Sequence, residues 1–170
     1  MKKILLFLII LMNFDNANAE NKIAYIDINH ILNNSLAGQS ISKHIQEIKE
    51  KKNIEFASIK KRLTDEETKI VKQKNIIEKE KFEEQVNKLR EEVNKYRKSK
   101  KIFNDEIKAK KIKYTKIILN KLNPIISKYV EDNSITIVFP KKNIIIAKKN
   151  LDITKLIMEL LNNQLNKVDF

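Results

Sequence analysis

The chain has 170 residues and a formal charge of +13, with 34% charged residues, 6% aromatics, one glycine, two prolines and no cysteine. The missing cysteines exclude a disulfide scaffold, a thiol nucleophile and a Cys-ligated metal. So much charge with so little glycine and proline matches long helices rich in Lys, Glu, Leu and Ile, with globular character expected only at the two ends.

Residues 1–19 read as a signal peptide: Lys2 and Lys3, the apolar run Ile4 to Met12, then Ala17-Asn18-Ala19. The apolar run is shorter than the ~20 residues a bilayer requires, so an uncleaved membrane anchor is the lesser reading. Cleavage after Ala19 would leave Glu20 first and the exported chain still strongly basic. Residues 20–38 form the first part of a body. Ile23-Ala24-Tyr25-Ile26-Asp27 predicts a mostly buried strand feeding a short helix, with Asp27 or Asn29 as its cap. Breaks are expected at Asn33-Asn34-Ser35 and at Gly38.

From Gly38 to Pro124 there is no glycine or proline, and residues 39–123 are predicted to be a helical arm. Phe82, Val86, Leu89, Val93, Tyr96, Lys100, Phe103, Ile107, Lys110, Tyr114 and Ile117 alternate steps of four and three, which is a heptad seam. The first half, with Ile41, Ile45, Ile48, Phe56, Ile59, Leu63, Ile70 and Ile77, carries a weaker seam interrupted at Lys52. A single straight helix from Ser40 to Asp132 would run roughly 140 Å, so a reversal into two antiparallel arms is favoured. The tip is expected near 74–78, where Glu78 and Glu80 suit a new helix N-terminus.

Residues 124–170 supply the second part of the body. Asn123-Pro124 predicts a bend or restart of the helix, and Ile125 to Val130 continues it. Ile135 to Phe139 and Asn143 to Ala147, around Pro140-Lys141-Lys142, read as a β-hairpin. Asp152 and Thr154 open a last amphipathic helix with Leu156, Ile157, Leu160 and Leu161 on its buried side. The fold class is α+β: a small β-rich body built from both chain ends, plus a long antiparallel helical hairpin. The body core, doubling as oligomerisation surface, is expected at Ile23, Tyr25, Ile135, Ile137, Phe139, Ile144, Ile146, Leu156 and Leu160.

Enzymatic chemistry finds no constellation. Gly38 stands alone, whereas a phosphate-cradling loop needs several glycines. His30 and His44 are too far apart for an i, i+4 metal pair and read as ordinary surface or turn histidines. Glu66-Glu67, Glu83-Glu84 and Glu91-Glu92 are adjacent in sequence and so face different ways on a helix. No cofactor, metal or catalytic residue is expected. The acid-first pairs Glu47–Lys51, Asp65–Lys69, Glu84–Lys88, Glu91–Lys95 and Glu106–Lys110 predict helix support instead.

Taken in order, Lys22-Ile23-Ala24-Tyr25-Ile26-Asp27, Ser35 and Gly38, the charged hairpin, Leu122-Asn123-Pro124-Ile125-Ile126, the Ile135–Phe139 run and Leu151-Asp152-Ile153-Thr154 resemble the Skp (OmpH-like) family of periplasmic chaperones. The resemblance covers nearly the whole chain after residue 19. It implies a homotrimer in which three helical arms enclose unfolded outer-membrane proteins. The chain departs from the family pattern at Phe139-Pro140, where an acidic residue commonly ends the strand. It departs again at Asp132-Asn133-Ser134, where a glycine usually precedes that strand.

The expected function is an ATP-independent periplasmic holdase; the alternative is a structural coiled-coil spacer bridging two envelope components. The apolar seam is expected to hold the two arms together rather than to touch clients. Client contact is assigned to secondary apolar positions Ile54, Ile76, Ile77, Ile102 and Ile112, with Lys52, Lys100, Lys101, Lys110 and Lys111 from the basic runs. Each basic run taken alone suits a solvated helix face, but the summed positive charge suits an acidic client or anionic lipid, including lipopolysaccharide. Export argues against nucleic acid.

Overall fold

The computed structural model describes residues 22–170. The signal-peptide assignment to residues 1–19 lies outside the described residues. Strand β1 (Lys22–Ile26) leads into helices α1 (Ile28–Asn34), α2 (Leu36–Gln73) and α3 (Lys79–Asp132). Strand β2 (Ile135–Pro140), single 3-10 turns at Lys141–Asn143 and Lys149–Leu151, and helix α4 (Thr154–Gln164) complete the chain.

Local chemistry accounts for the element ends. The Asp27 carboxylate accepts from the His30 backbone N–H at 2.9 Å and caps α1. Ser35 serves two helices: its N–H donates to the Ile31 carbonyl at 3.0 Å, closing α1, and its Oγ accepts from the Gly38 N–H at 3.2 Å, opening α2. Gly38 is therefore not a break but lies in the first turn of α2. A Cβ there would stand 2.1 Å from the Leu32 carbonyl oxygen, so only a hydrogen lets α1 fold back this closely.

α2 and α3 run for 38 and 54 residues, lengths of roughly 57 and 81 Å at the α-helical rise. The chain reverses through Lys74–Glu78, where Ile76 and Ile77 donate N–H bonds back to the Gln73 carbonyl at 2.9 and 3.2 Å. In the arm the deeper burial falls on the outgoing helix. Phe56, Leu63 and Ile70, seven apart, are buried, while their partners Phe82, Val86, Leu89, Val93, Tyr96 and Phe103 on α3 are half-buried. One knob per heptad from α2 thus settles among several side chains of α3.

The expected bend or restart at Pro124 does not interrupt α3, which continues through it to Asp132. Pro124 forfeits one backbone bond. Leu122 and Ile125, buried on either side of it, hold the helix against the body and offset that loss. α3 ends at Asp132 with Asn133 as its cap, and Ser134 takes φ 53°. A serine with a Cβ thus occupies the left-handed region, at a cost of roughly 1 kcal/mol.

The β-hairpin expected from 135–139 and 143–147 is not formed. β2 pairs instead with β1, in parallel, with Ile23 opposite Ile137, Ala24 opposite Val138, Tyr25 opposite Phe139 and Ile26 opposite Pro140. Pro140 runs into the 3-10 turn at Lys141–Asn143, which carries the chain away from β2 before a hairpin can close. On its other side β1 accepts one further bond, from the Ile153 N–H to the Tyr25 carbonyl at 3.0 Å. β1 is therefore the inner strand, and the far edge of β2 is unpaired among the described residues.

The core sits behind this sheet. Ala24 and Ile26 meet Ile31, Ala37, Ile41 and Ile45 on one side, Tyr114, Ile118, Leu122 and Ile125 of α3 on another, and Ile153, Ile157, Leu161 and Val168 from the end of the chain.

Candidate functional site

Among the described residues no three His, Cys, Asp or Glu side chains cluster as metal ligands, and no helix is long and apolar enough to cross a membrane. The residues able to engage another molecule lie on two surfaces, the flanks of the arm and the outer face of the body.

On the arm, Ile54 and Ile76 are 73% and 80% exposed, the latter at the tip. Ile102 and Ile112 project from α3 opposite its seam and are also exposed. Ile77 is half-buried against the reversal. Sequence reasoning missed Val71, which is exposed one residue after the buried Ile70 and joins Ile76 near the tip. Its signal was present: it falls outside the heptad register that buries Phe56, Leu63 and Ile70.

The basic side chains divide into two kinds. Lys52 is half-buried and already engaged, 2.7 Å from the Glu55 carboxylate and 5.3 Å from the centre of the Phe56 ring. It closes the seam at the point where the apolar spacing lapses, which accounts for the lysine there. Lys100 lies over the Tyr96 ring at 5.8 Å. Lys101, Lys110 and Lys111 are exposed. Between Lys95 and Lys116, α3 carries ten basic and two acidic residues. Among the described residues only Lys108 of these ten forms an ion pair, with Asp105 at 3.6 Å. The middle of α3 is thus a positively charged surface with isoleucines set into it, while the adjoining stretch toward the tip alternates sign.

None of the five predicted acid-first pairs closes. The intrahelical pairs that form include Arg62–Glu66 at 3.3 Å and Lys128–Asp132 at 3.0 Å. Each predicted pair is worth only ~0.2–0.5 kcal/mol, so rotamer freedom and competing partners decide which exist. One ion pair does cross the arm: Arg62 also holds Glu92 at 2.7 Å. The hydrogen bond from Arg62 pulls the Glu92 carboxyl below its ordinary range, against a smaller opposing effect of desolvation.

In the body, the nine residues expected as core divide by face. Tyr25 is buried, and Ile135 and Ile144 are half-buried. Ile23, Ile137 and Phe139 are exposed, as are Leu156 and Leu160 on α4. Ile146 is 91% exposed, next to Ile145 at 98%. As core of the single chain these six are corrected. The two-stranded sheet is covered on one face only, so Ala24 and Val138 turn inward and Ile23, Ile137 and Phe139 outward. On α4 the buried stripe is Ile157 and Leu161, one residue further round than Leu156 and Leu160.

One polar cluster fixes the edge of this apolar face. The Thr154 Oγ1 accepts from the Asp27 N–H at 2.8 Å, and the Asp152 carboxylate accepts from the Thr154 N–H at 3.0 Å and from Lys141 Nζ at 2.9 Å. Desolvation pushes the Asp152 carboxyl up, but the Thr154 and Lys141 hydrogen bonds together outweigh it and hold the group below its ordinary range. The bond to Asp152 correspondingly raises Lys141. His44, read as an ordinary surface residue, is half-buried and stacked on Phe170.

Residues 22–161 match a protein-family model described as "Outer membrane protein (OmpH-like)". The crystal structure of a candidate outer membrane chaperone (OmpH-like) from Caulobacter crescentus CB15 superposes with a TM-score of 0.75 at 18% identity. The superposition covers 87% of this chain and 88% of that one, a likeness of fold. The chain matches no curated protein.

Proposed function

We propose that this chain, which belongs to the OmpH-like family, is an ATP-independent holdase that keeps unfolded outer-membrane proteins from aggregating in the periplasm. The observation that carries the reading is the arm surface: Ile54, Val71, Ile76, Ile102 and Ile112 exposed along two long helices, with an unneutralised run of lysines beside the last two. Isolated apolar side chains on a solvated rod cannot form a pocket for one small molecule. They can give an extended polypeptide many weak contacts whose sum is tight while each stays reversible. The lysines favour clients with acidic stretches and raise their rate of encounter. Anionic lipid or lipopolysaccharide would meet the same charge.

In this reading the body assembles copies of the chain into a trimer. Its support is the apolar outer sheet face at Ile23, Ile137 and Phe139, the open edge of β2 and the exposed Ile145 and Ile146. An open strand edge with an apolar face invites another chain. Three arms would then enclose a cavity, and export would follow from residues 1–19. Release without nucleotide would follow from the client's own folding in the membrane.

The test is light scattering from a denatured outer-membrane protein diluted into buffer, with and without the purified chain and without nucleotide. Suppressed scattering near one assembly per client is expected. Unchanged aggregation at molar excess rejects the holdase reading.

A further inference from the structure

Three contacts at the root of α2 lead to a feature just beyond the family-model match. The Leu36 N–H donates to Asn162 Oδ1 at 2.8 Å. One turn on, Ser40 Oγ accepts from the Val168 N–H at 3.2 Å. One turn further, the His44 ring stacks on Phe170, centroids 3.8 Å apart and planes 4° from parallel. Positions 36, 40 and 44 share a helix face. Every partner comes from residues 162–170, beyond the stretch 22–161 that the family model matches. Tyr114 of α3 completes the cluster, edge-on to Phe170 at 5.1 Å and to His44 at 5.9 Å.

We propose that the segment after Leu165 is a strap that sets the angle at which the arm leaves the body, with Phe170 and His44 as its positioning residues. α4 ends where the Leu165 N–H reaches the Leu161 carbonyl at 2.7 Å, and the chain then runs back along the root of α2. Val168 is buried in the body core, so the strap is anchored at its middle. Phe170 is held differently: it is 55% exposed, resting on one half-buried ring and one buried ring. An anchored segment with an exposed aromatic clasp can release and reseat without unfolding the body. Because the clasp touches both α2 and α3, its release frees the root of the whole hairpin. In the holdase reading, on which this role rests, arm angle decides the size of client that the assembly spans, so the strap is a specificity element.

The chain has no cysteine, so spin labels at Lys61→Cys on the arm and Asn163→Cys on α4 report the angle, with labelled chains diluted into unlabelled ones. Phe170→Ala, His44→Ala and removal of residues 167–170 are each expected to broaden the distance distribution about twofold, as loss of an aromatic pair worth little more than thermal energy allows. His44→Phe keeps a ring and is expected to retain the native width. Circular dichroism confirms that the helices persist, which Phe170→Ala, truncating an exposed ring, does not threaten. Equal widths in all four variants and the wild type overturn the strap. Broadened widths with no change in the largest client kept soluble overturn its role in specificity. A wild-type chain that holds no client rejects the holdase reading while the distance widths still decide the strap.

Discussion

The body and the arm are made of similar residues and stabilised in opposite ways. In the body, Ile31, Ile118, Leu122, Ile157 and Leu161 come from three helices and are fully buried. In the arm, Phe56, Leu63 and Ile70 fill a seam one side chain thick, and everything beside it faces water. A seam can hold two helices together but leaves both flanks free for contact. The body supplies the stability that the arm lacks, and the arm belongs to the low-stability end of the molecule, from which binding elements are drawn.

The contrast can be broken by substitution. Leu122→Ala removes a side chain enclosed on all sides and should cost about 2–5 kcal/mol in denaturant unfolding. A loss under about 1 kcal/mol would mean that the body is not the stable half. Leu63→Ala in the arm should cost nearer ~2 kcal/mol, because a solvated seam can collapse around the gap. The change should appear as faster hydrogen exchange in residues 56–103 with the body unaffected; exchange rising equally in both would show a single cooperative unit.

Two smaller effects sharpen the comparison within the body. The Asp152 carboxyl is held below its ordinary range, so its contribution is present above that range and lost as pH falls through the lowered value. Lys141, raised by the same bond, contributes below the ordinary lysine range and loses that contribution as pH rises through the raised value. Asp152→Asn should therefore flatten the acid limb of a melting-temperature profile, with no more than about 1 kcal/mol at neutral pH since the pair is partly exposed. An unaltered acid limb would remove the pair from the account. Ser134→Gly should stabilise by about 0.5–1 kcal/mol by relieving the left-handed backbone. A destabilised variant would show that the serine side chain does more than strain the turn.

The arm was legible because its signals are local. Steps of four and three from Phe82 to Ile117, and the absence of glycine and proline from Gln39 to Asn123, specify helix and seam without reference to the rest of the chain. The exposed isoleucines Ile54, Ile76, Ile102 and Ile112 could be picked out the same way, as apolar residues off the seam. The body was legible only in outline. Two β-branched runs beside Pro140 look like a hairpin, and nothing nearby in sequence shows that β1, more than a hundred residues away, takes β2 as its parallel partner.

By itself, then, the order of residues determined the α+β class, a helical hairpin and a body drawn from both ends, since periodicity and chain-breaking residues act over a few turns. Tertiary structure alone decided the parallel pairing of the two strands and which of their faces is left open. It also decided that Gly38 admits the Leu32 carbonyl and that His44 receives Phe170. Each of these depends on groups that meet only after the long helices have closed the distance between the chain's two ends.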